Sequence, residues 1–193
     1  MPSLAEVERE ASVCTRCALA AGRTQVVFGV GDPAAELMLV GEGPGAQDDL
    51  QGLPFVGRSG QLLDRLVLEE MGLTRDHFYI ANAVKCRPPG NRDPQPAEIA
   101  TCRPWLESQI ELIDPSVVVT LGNFATKLLL DTTEGITRLR GRAYPFRNGM
   151  IVPTFHPAAA LRSGAATVAH MRADLVRAKQ ILEGPSRGGG LSQ

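Results

Sequence analysis

Gly41-Glu42-Gly43-Pro44-Gly45, with Asp48 and Asp49 just beyond, sets carboxylates on a glycine-rich turn directly after the apolar run Leu37 to Val40. Glycines there let a ligand approach the main chain closely. The carboxyl end of a strand is also where open α/β sheets bind ligands. The plain alternative is a tight turn leading into a helix with a solvated acidic start. A second group is the four cysteines, Cys14, Cys17, Cys86 and Cys102. Cys14 and Cys17 form a CxxC, whereas Cys86 and Cys102 stand too far apart to be a second knuckle. Four thiolates suit either zinc or an iron-sulfur cluster, and the spacing does not separate the two. Free buried cysteines are the bland reading.

The remaining candidates follow short apolar runs. His156 lies between such a run and Pro157, and imidazole can hold or give a proton near neutral pH. Asn82 ends Phe78-Tyr79-Ile80-Ala81 and offers both a donor and an acceptor. Lys85, Arg87 and Arg92 flank Cys86 in an irregular loop and suit phosphate contacts, or else are solvated charges. Phe55, between Pro54 and Val56, is either a small hydrophobic anchor or a stacking surface.

Positioning these residues requires a sheet. Leu37–Val40, Phe78–Ile80, Val117–Leu121 and Met150–Thr154 read as strands, and a further run, Thr24–Phe28, as an edge strand forming a hairpin with the first. Helical spacing appears in Ser59–Met71, closed by Gly72, and in Pro96–Leu112, Phe124–Leu130 and Ala165–Leu182. Ser3-Leu4-Ala5-Glu6 has the form of a capping box. Residues 41–57, 135–145 and 156–164 read as loops. Strands alternating with helices point to an α/β protein with a mainly parallel sheet covered on both sides.

The chain of 193 residues, 44% hydrophobic, supports one sizeable core, expected over residues 1–183. Residues 184–193 have no pattern that could bury a core and are expected to be disordered. A net charge of -1 gives no overall attraction to nucleic acid. Arg138, Arg140, Arg142, Arg147, Arg162, Arg172, Arg177 and Lys179 nevertheless permit a basic face. Charges near the N-terminus and the lack of a bilayer-long apolar stretch lead to the expectation of a cytoplasmic protein with no membrane partner.

Gly41-Glu42-Gly43-Pro44-Gly45, Pro54-Phe55-Val56-Gly57, Asn82, Lys85-Cys86-Arg87-Pro88-Pro89-Gly90-Asn91-Arg92 and His156-Pro157-Ala158 occur in that order. Together with the cysteines they closely resemble family 4 uracil-DNA glycosylases, the iron-sulfur branch of that superfamily, from the N-terminal cysteines to about Arg162. The resemblance implies a three-layer α/β/α fold. It implies a 4Fe-4S cluster, in preference to zinc, on Cys14, Cys17, Cys86 and Cys102. It also implies a DNA repair enzyme that flips deoxyuridine out of single- or double-stranded DNA and hydrolyses its N-glycosidic bond, acting as a monomer in a bacterial or archaeal cell.

In that light Glu42, Asp48 and His156 are the catalytic candidates, and Gly43, Phe55, Asn82 and Asn91 the substrate-binding ones. Lys85, Arg87, Arg92, Leu161 and Arg162 would contact DNA, with Leu161 as a wedge in the base stack. Two departures stand out: Asp48 where many relatives have Glu, and Ala159 where they often have Tyr. Gly90-Asn91-Arg92 replaces the Lys-Arg-Arg-Ile-His insert of the branch that traps uracil covalently, so ordinary turnover is expected. A non-catalytic iron-sulfur DNA-binding or redox module is the alternative. A phosphate cradle is disfavoured, because no Lys-Ser or Lys-Thr pair follows Gly45 and acids sit where phosphates would go.

Overall fold

The computed structural model describes residues 1–184; beyond Gly184, the tail expected from the sequence lies outside the described residues. A six-stranded sheet forms the middle layer, in the order β1-β3-β2-β4-β6-β5. Its strands are β1 (Val30–Gly31), β2 (Leu37–Gly41), β3 (Tyr79–Asn82), β4 (Val117–Leu121), β5 (Tyr144–Phe146) and β6 (Gly149–Thr154). The four central strands run parallel, with Leu39 opposite Ile80 and Val119 and with Val119 opposite Val152. Only the short edge strands β1 and β5 are antiparallel.

The helices in chain order are α1 (Leu4–Ala11), α2 (Leu19–Gly22), α3 (Ala46–Gln51), α4 (Arg58–Met71), α5 (Pro96–Ile113), α6 (Asn123–Leu130), α7 (Ile136–Leu139), α8 (Pro157–Ser163) and α9 (Ala165–Leu182). Alternate strand residues face opposite layers. Leu37, Leu39, Val117 and Val119 pack with Leu63, Leu66 and Val67 of α4 and Met171 and Leu175 of α9. Met38, Val40 and Val118 pack with Leu106 and Ile110 of α5 and Ala125 of α6. This two-sided burial explains why β2 and β4 are apolar at nearly every position. The three-layer α/β/α architecture is the one expected.

Four local expectations need correction. Thr24–Phe28 is not a strand, and β1 pairs with β3 rather than with β2. Val27 instead donates one backbone bond to Lys85, which anchors the segment against the loop beyond β3. The stretch from Gly41 to Gly57 contains α3, whose first turn is held by Asp48 accepting from the Gly45 N–H at 3.2 Å. The arginine-rich connection contains α7 and the start of β5. Residues after His156 form α8, which starts with Pro157 at the position where a missing N–H costs nothing.

β2 lies between β3 on one side and β4 on the other, so the chain reverses its direction of sheet growth at β2. The crevice at the carboxyl ends of such strands is where α/β sheets take ligands. The glycine loop leaves β2 at that point.

Candidate active site

A cleft of about 680 Å³ opens there, lined among others by Glu42, Gly43, Asp48, Phe55, Asn91, Arg92, His156 and Arg162. These come from the segments that follow β2, β3 and β6, including α3 and α8, and Gly122 and Asn123 after β4 also line it. Two backbone bonds, Ala83 N–H to Gly41 O at 2.9 Å and Val84 N–H to Glu42 O at 3.0 Å, extend the β2–β3 pairing past the strand ends. The main chain carrying Glu42 is thereby fixed to that following Asn82.

Asn82 itself is fully buried behind the cleft wall. Among the described residues it alone has buried side-chain polar atoms, Oδ1 and Nδ2, with no hydrogen-bond partner. Gly41 makes the approach possible: a Cβ there would lie 2.5 Å from both Asn82 Oδ1 and Phe55 Cζ. Asn82 and the Phe55 ring therefore meet across a bare backbone. Leaving a polar group buried and unpaired costs about 1–3 kcal/mol, so a pair retained in this state points to a ligand that completes it.

The Phe55 ring lies 5.6 Å from that of His156, tilted by 33°. His156 caps α8, with Nδ1 accepting from the Ala158 N–H at 3.1 Å. That bond leaves the ring proton on Nε2. Burial, reinforced by the Arg162 charge and opposed by Asp48, holds the imidazole down to about 4, so it is neutral at physiological pH. His156 is thus a neutral donor.

The two carboxylates differ. Both oxygens of Asp48 accept main-chain N–H groups, from Gly45 at 3.2 Å and from Val56 at 2.9 Å. They tie the two halves of the loop together. Burial, with the nearby Asp93 charge, instead pushes the Glu42 carboxyl up to about 7. A carboxyl poised near neutrality suits proton chemistry.

Several expected DNA contacts are redirected. Lys85 is buried, donating to the Asn82 carbonyl at 2.8 Å and to Gln109 Oε1 at 2.5 Å, and cannot reach a phosphate. It braces the end of β3 beneath Asn82, and burial pushes its ammonium down to about 7. Arg92 lines the cleft but is committed to Glu98 at 2.7 and 3.0 Å. Arg87 is partly exposed and donates to Asn91 Oδ1 at 2.7 Å, which keeps Asn91 at the rim. Leu161 and Arg162 are exposed on α8, with Arg162 at the cleft. The C-terminal basic face is reduced, since Arg140 pairs with Asp174 and Arg172 with Glu69 and Glu70.

Beyond Lys85 the four cysteines line one small cavity, with Arg23 and Trp105 in its wall. Arg16 stacks over Trp105 at 4.6 Å. Lys85 N–H points at Cys102 Sγ at 3.3 Å and Arg23 at Cys86 Sγ at 3.4 Å, contacts of the kind that stabilise sulfur ligands of a metal centre. Burial pushes the Cys102 thiol up to about 11, and raises Cys86 as well. Such thiols become thiolates at neutral pH only beside a cation, and the donor set fits a metal centre. Among the described residues no group of three or more His, Cys, Asp or Glu side chains is arranged to hold a single ion.

Sequence reasoning missed Gln109, which accepts from Lys85 and donates to the Phe28 carbonyl at 2.9 Å. It also missed Arg23 and Arg75. Each works through a contact distant in sequence that no local pattern announces.

Comparison with known proteins shows the family. Residues 28–178 match the family described as the uracil DNA glycosylase superfamily. A type-4 uracil-DNA glycosylase from Sulfurisphaera tokodaii is 44% identical over 169 residues, covering 83% of this chain and 77% of the relative. One from Thermotoga maritima is 45% identical over 159 residues, 81% of this chain and 82% of the relative. A type-5 uracil-DNA glycosylase from Thermus thermophilus is 34% identical over 141 residues, 66% of this chain and 62% of the relative. The chain belongs to the uracil DNA glycosylase superfamily, in its type-4 branch.

Proposed function

We propose that this protein is a DNA repair enzyme that hydrolyses the N-glycosidic bond of deoxyuridine in DNA, releasing uracil and leaving an abasic site. The observation that carries the reading is the unpaired Asn82 amide at the back of the cleft. Its donor and acceptor complement the O4 and N3–H edge of uracil. Phe55, whose ring meets Asn82 at Gly41, stacks on the flipped base. Flipping costs a few kcal/mol, and stacking returns about 1–3 kcal/mol of it.

When the bond between C1′ and N1 breaks, its electron pair passes to uracil and positive charge develops on the sugar. His156 Nε2–H, with the main chain at Gly43, donates to uracil O2 and stabilises the departing anion. Glu42 acts on the other partner, taking a proton from the water that adds to C1′. Asp48 holds the loop that presents both. Leu161 enters the stack as a wedge and Arg87 and Arg162 meet phosphate, whereas Arg92, bound to Glu98, orders the rim. The protein acts as a monomer. Residues 1–183 act as one glycosylase unit in the cytoplasm of a bacterial or archaeal cell.

Cys14, Cys17, Cys86 and Cys102 would hold a 4Fe-4S cluster. Zinc needs all its sulfurs about 2.3 Å from one point, whereas a cluster spreads them over several iron atoms. Held by these four residues, such a group would tie the N-terminal segment to the loop carrying Arg87 and to α5. The purified protein is expected to be brown, with iron that falls in Cys102→Ser. A colourless protein with stoichiometric zinc contradicts the assignment.

The substrate reading is tested by base release from DNA carrying uracil, hypoxanthine or mismatched thymine. Release from uracil is expected to be fastest: thymine offers the same O4 and N3–H edge but adds a methyl group, and hypoxanthine offers an equivalent O6 and N1–H pair on a larger purine ring. Equal rates on all three would refute the assignment of the cleft as a uracil pocket. Tight, steeply salt-dependent DNA binding without base release would favour a non-catalytic module.

A further inference from the structure

We propose that Arg75 is a positioning residue for base recognition, its guanidinium fork holding the Phe55 ring in place beside Asn82 and His156. The inference rests on the glycosylase reading above. Arg75 does not line the cleft; it opens the 3-10 turn Arg75–His77 that follows α4. Its Nη1 donates to the Pro54 carbonyl at 2.7 Å and its Nη2 to the Phe55 carbonyl. Nε donates to Asp64 of α4 at 2.9 Å. One side chain thus grips two consecutive carbonyls and anchors itself to a helix.

The grip matters because Phe55 is held in a backbone conformation that it does not favour. Its φ is 54°, in the left-handed region that a bulky residue rarely occupies. The surroundings over-determine that conformation. Gly60 of α4 provides the notch, since a Cβ there would lie 1.6 Å from the Phe55 carbonyl oxygen. Asp64 stands one helical turn further along the same helix, so α4 supplies both the notch and the anchor. Arg75 closes the third side.

A planar fork is needed to reach two carbonyls and a carboxylate at once, and lysine has only a point charge on a flexible stem. Without the fork, the left-handed turn at Phe55 loses the partners of two carbonyls and the ring can leave Gly41. The ring meets Asn82 across Gly41 and faces His156. Arg75 therefore acts on the base only through Phe55.

A double-mutant cycle tests this. Single-turnover uracil release is measured for the wild type, Arg75→Lys, Phe55→Ala and the double variant, together with affinity for undamaged DNA. Arg75→Lys is expected to slow release roughly tenfold, the size of one base–aromatic stack, with DNA affinity unchanged. In the Phe55→Ala background the same substitution is expected to change the rate by less than about twofold, since residues acting as one unit are not additive. An equal loss in both backgrounds, or no loss in the wild-type background, overturns the inference. A melting curve identifies a variant that fails to fold, in which case Asp64→Asn, which loosens the fork from α4, replaces it in the cycle with the same expected coupling. A wild type that releases no uracil overturns the functional reading, and the inference with it.

Discussion

Replacing Asn82 by leucine is expected to abolish uracil release while leaving the protein as stable as before, or more so. The two side chains carry the same number of heavy atoms in the same branched arrangement, and the position is fully buried in the free protein. In the free protein the amide carries two buried polar atoms with no partner, each a burden that leucine removes. The melting temperature should therefore hold or rise. Catalysis moves the other way, because the uracil edge would meet an apolar surface with its own donor and acceptor unpaired. Sites built to hydrogen-bond a substrate reject a mismatched partner by about 10⁴–10⁵-fold, and a loss on the order of 10³-fold or more in single-turnover rate is expected. Calorimetry alongside the rate measurement separates the two effects. A variant that melts much lower, or that still releases uracil at near the normal rate, would show that Asn82 is a structural residue.

Glu42 should govern the pH dependence. Its carboxyl is pushed up to about 7, chiefly by burial and then by Asp93, and the mechanism requires the ionised form. The rate is expected to fall about tenfold per unit as pH drops below about 7, and to level above it. His156 does not produce this limb, because it stays neutral down to about 4. Glu42→Gln should lower the plateau by about 10²–10³-fold and flatten the limb. Stability carries the opposite sign. A carboxyl raised in the folded state favours folding fully below its unfolded value of 4.5, and that contribution is lost as pH rises through about 7. Glu42→Gln should therefore be more stable than the wild type at pH 8, and less different at pH 4. A limb that survives in Glu42→Gln would transfer the role to another group, Asp48 first among them.

Much of the frame was legible because burial on two faces leaves a plain mark. β2 and β4 read as strands from their apolar runs, and α4 and α9 from helical spacing closed by Gly72 and by the sheet they cover. The candidate site was legible where residue type and strand end coincide, as at Glu42, Asn82 and His156. What escaped notice depended on distance in space. Thr24–Phe28 has the composition of a strand, yet its backbone bonds go to Lys85 and to the Asp49 carboxylate, which accepts from Thr24 at 2.8 Å. Lys85 looks like a surface cation in a basic loop, and only the fold reveals Gln109 closing over it. Asp48 and Glu42 look alike in sequence; the backbone N–H groups of Gly45 and Val56 make the first a brace and leave the second at the cleft. Arg75 carries no motif, because its partners lie about twenty residues earlier on the main chain.

If this cleft cuts uracil from DNA by hydrolysis, the stoichiometry of its products is fixed. DNA carrying a single deoxyuridine is incubated with the protein, and free base and abasic sites are both quantified. Free uracil and alkali-labile abasic sites are expected in equal amounts, formed over many turnovers. DNA that stays intact to alkali, with no free uracil despite binding, would contradict that activity.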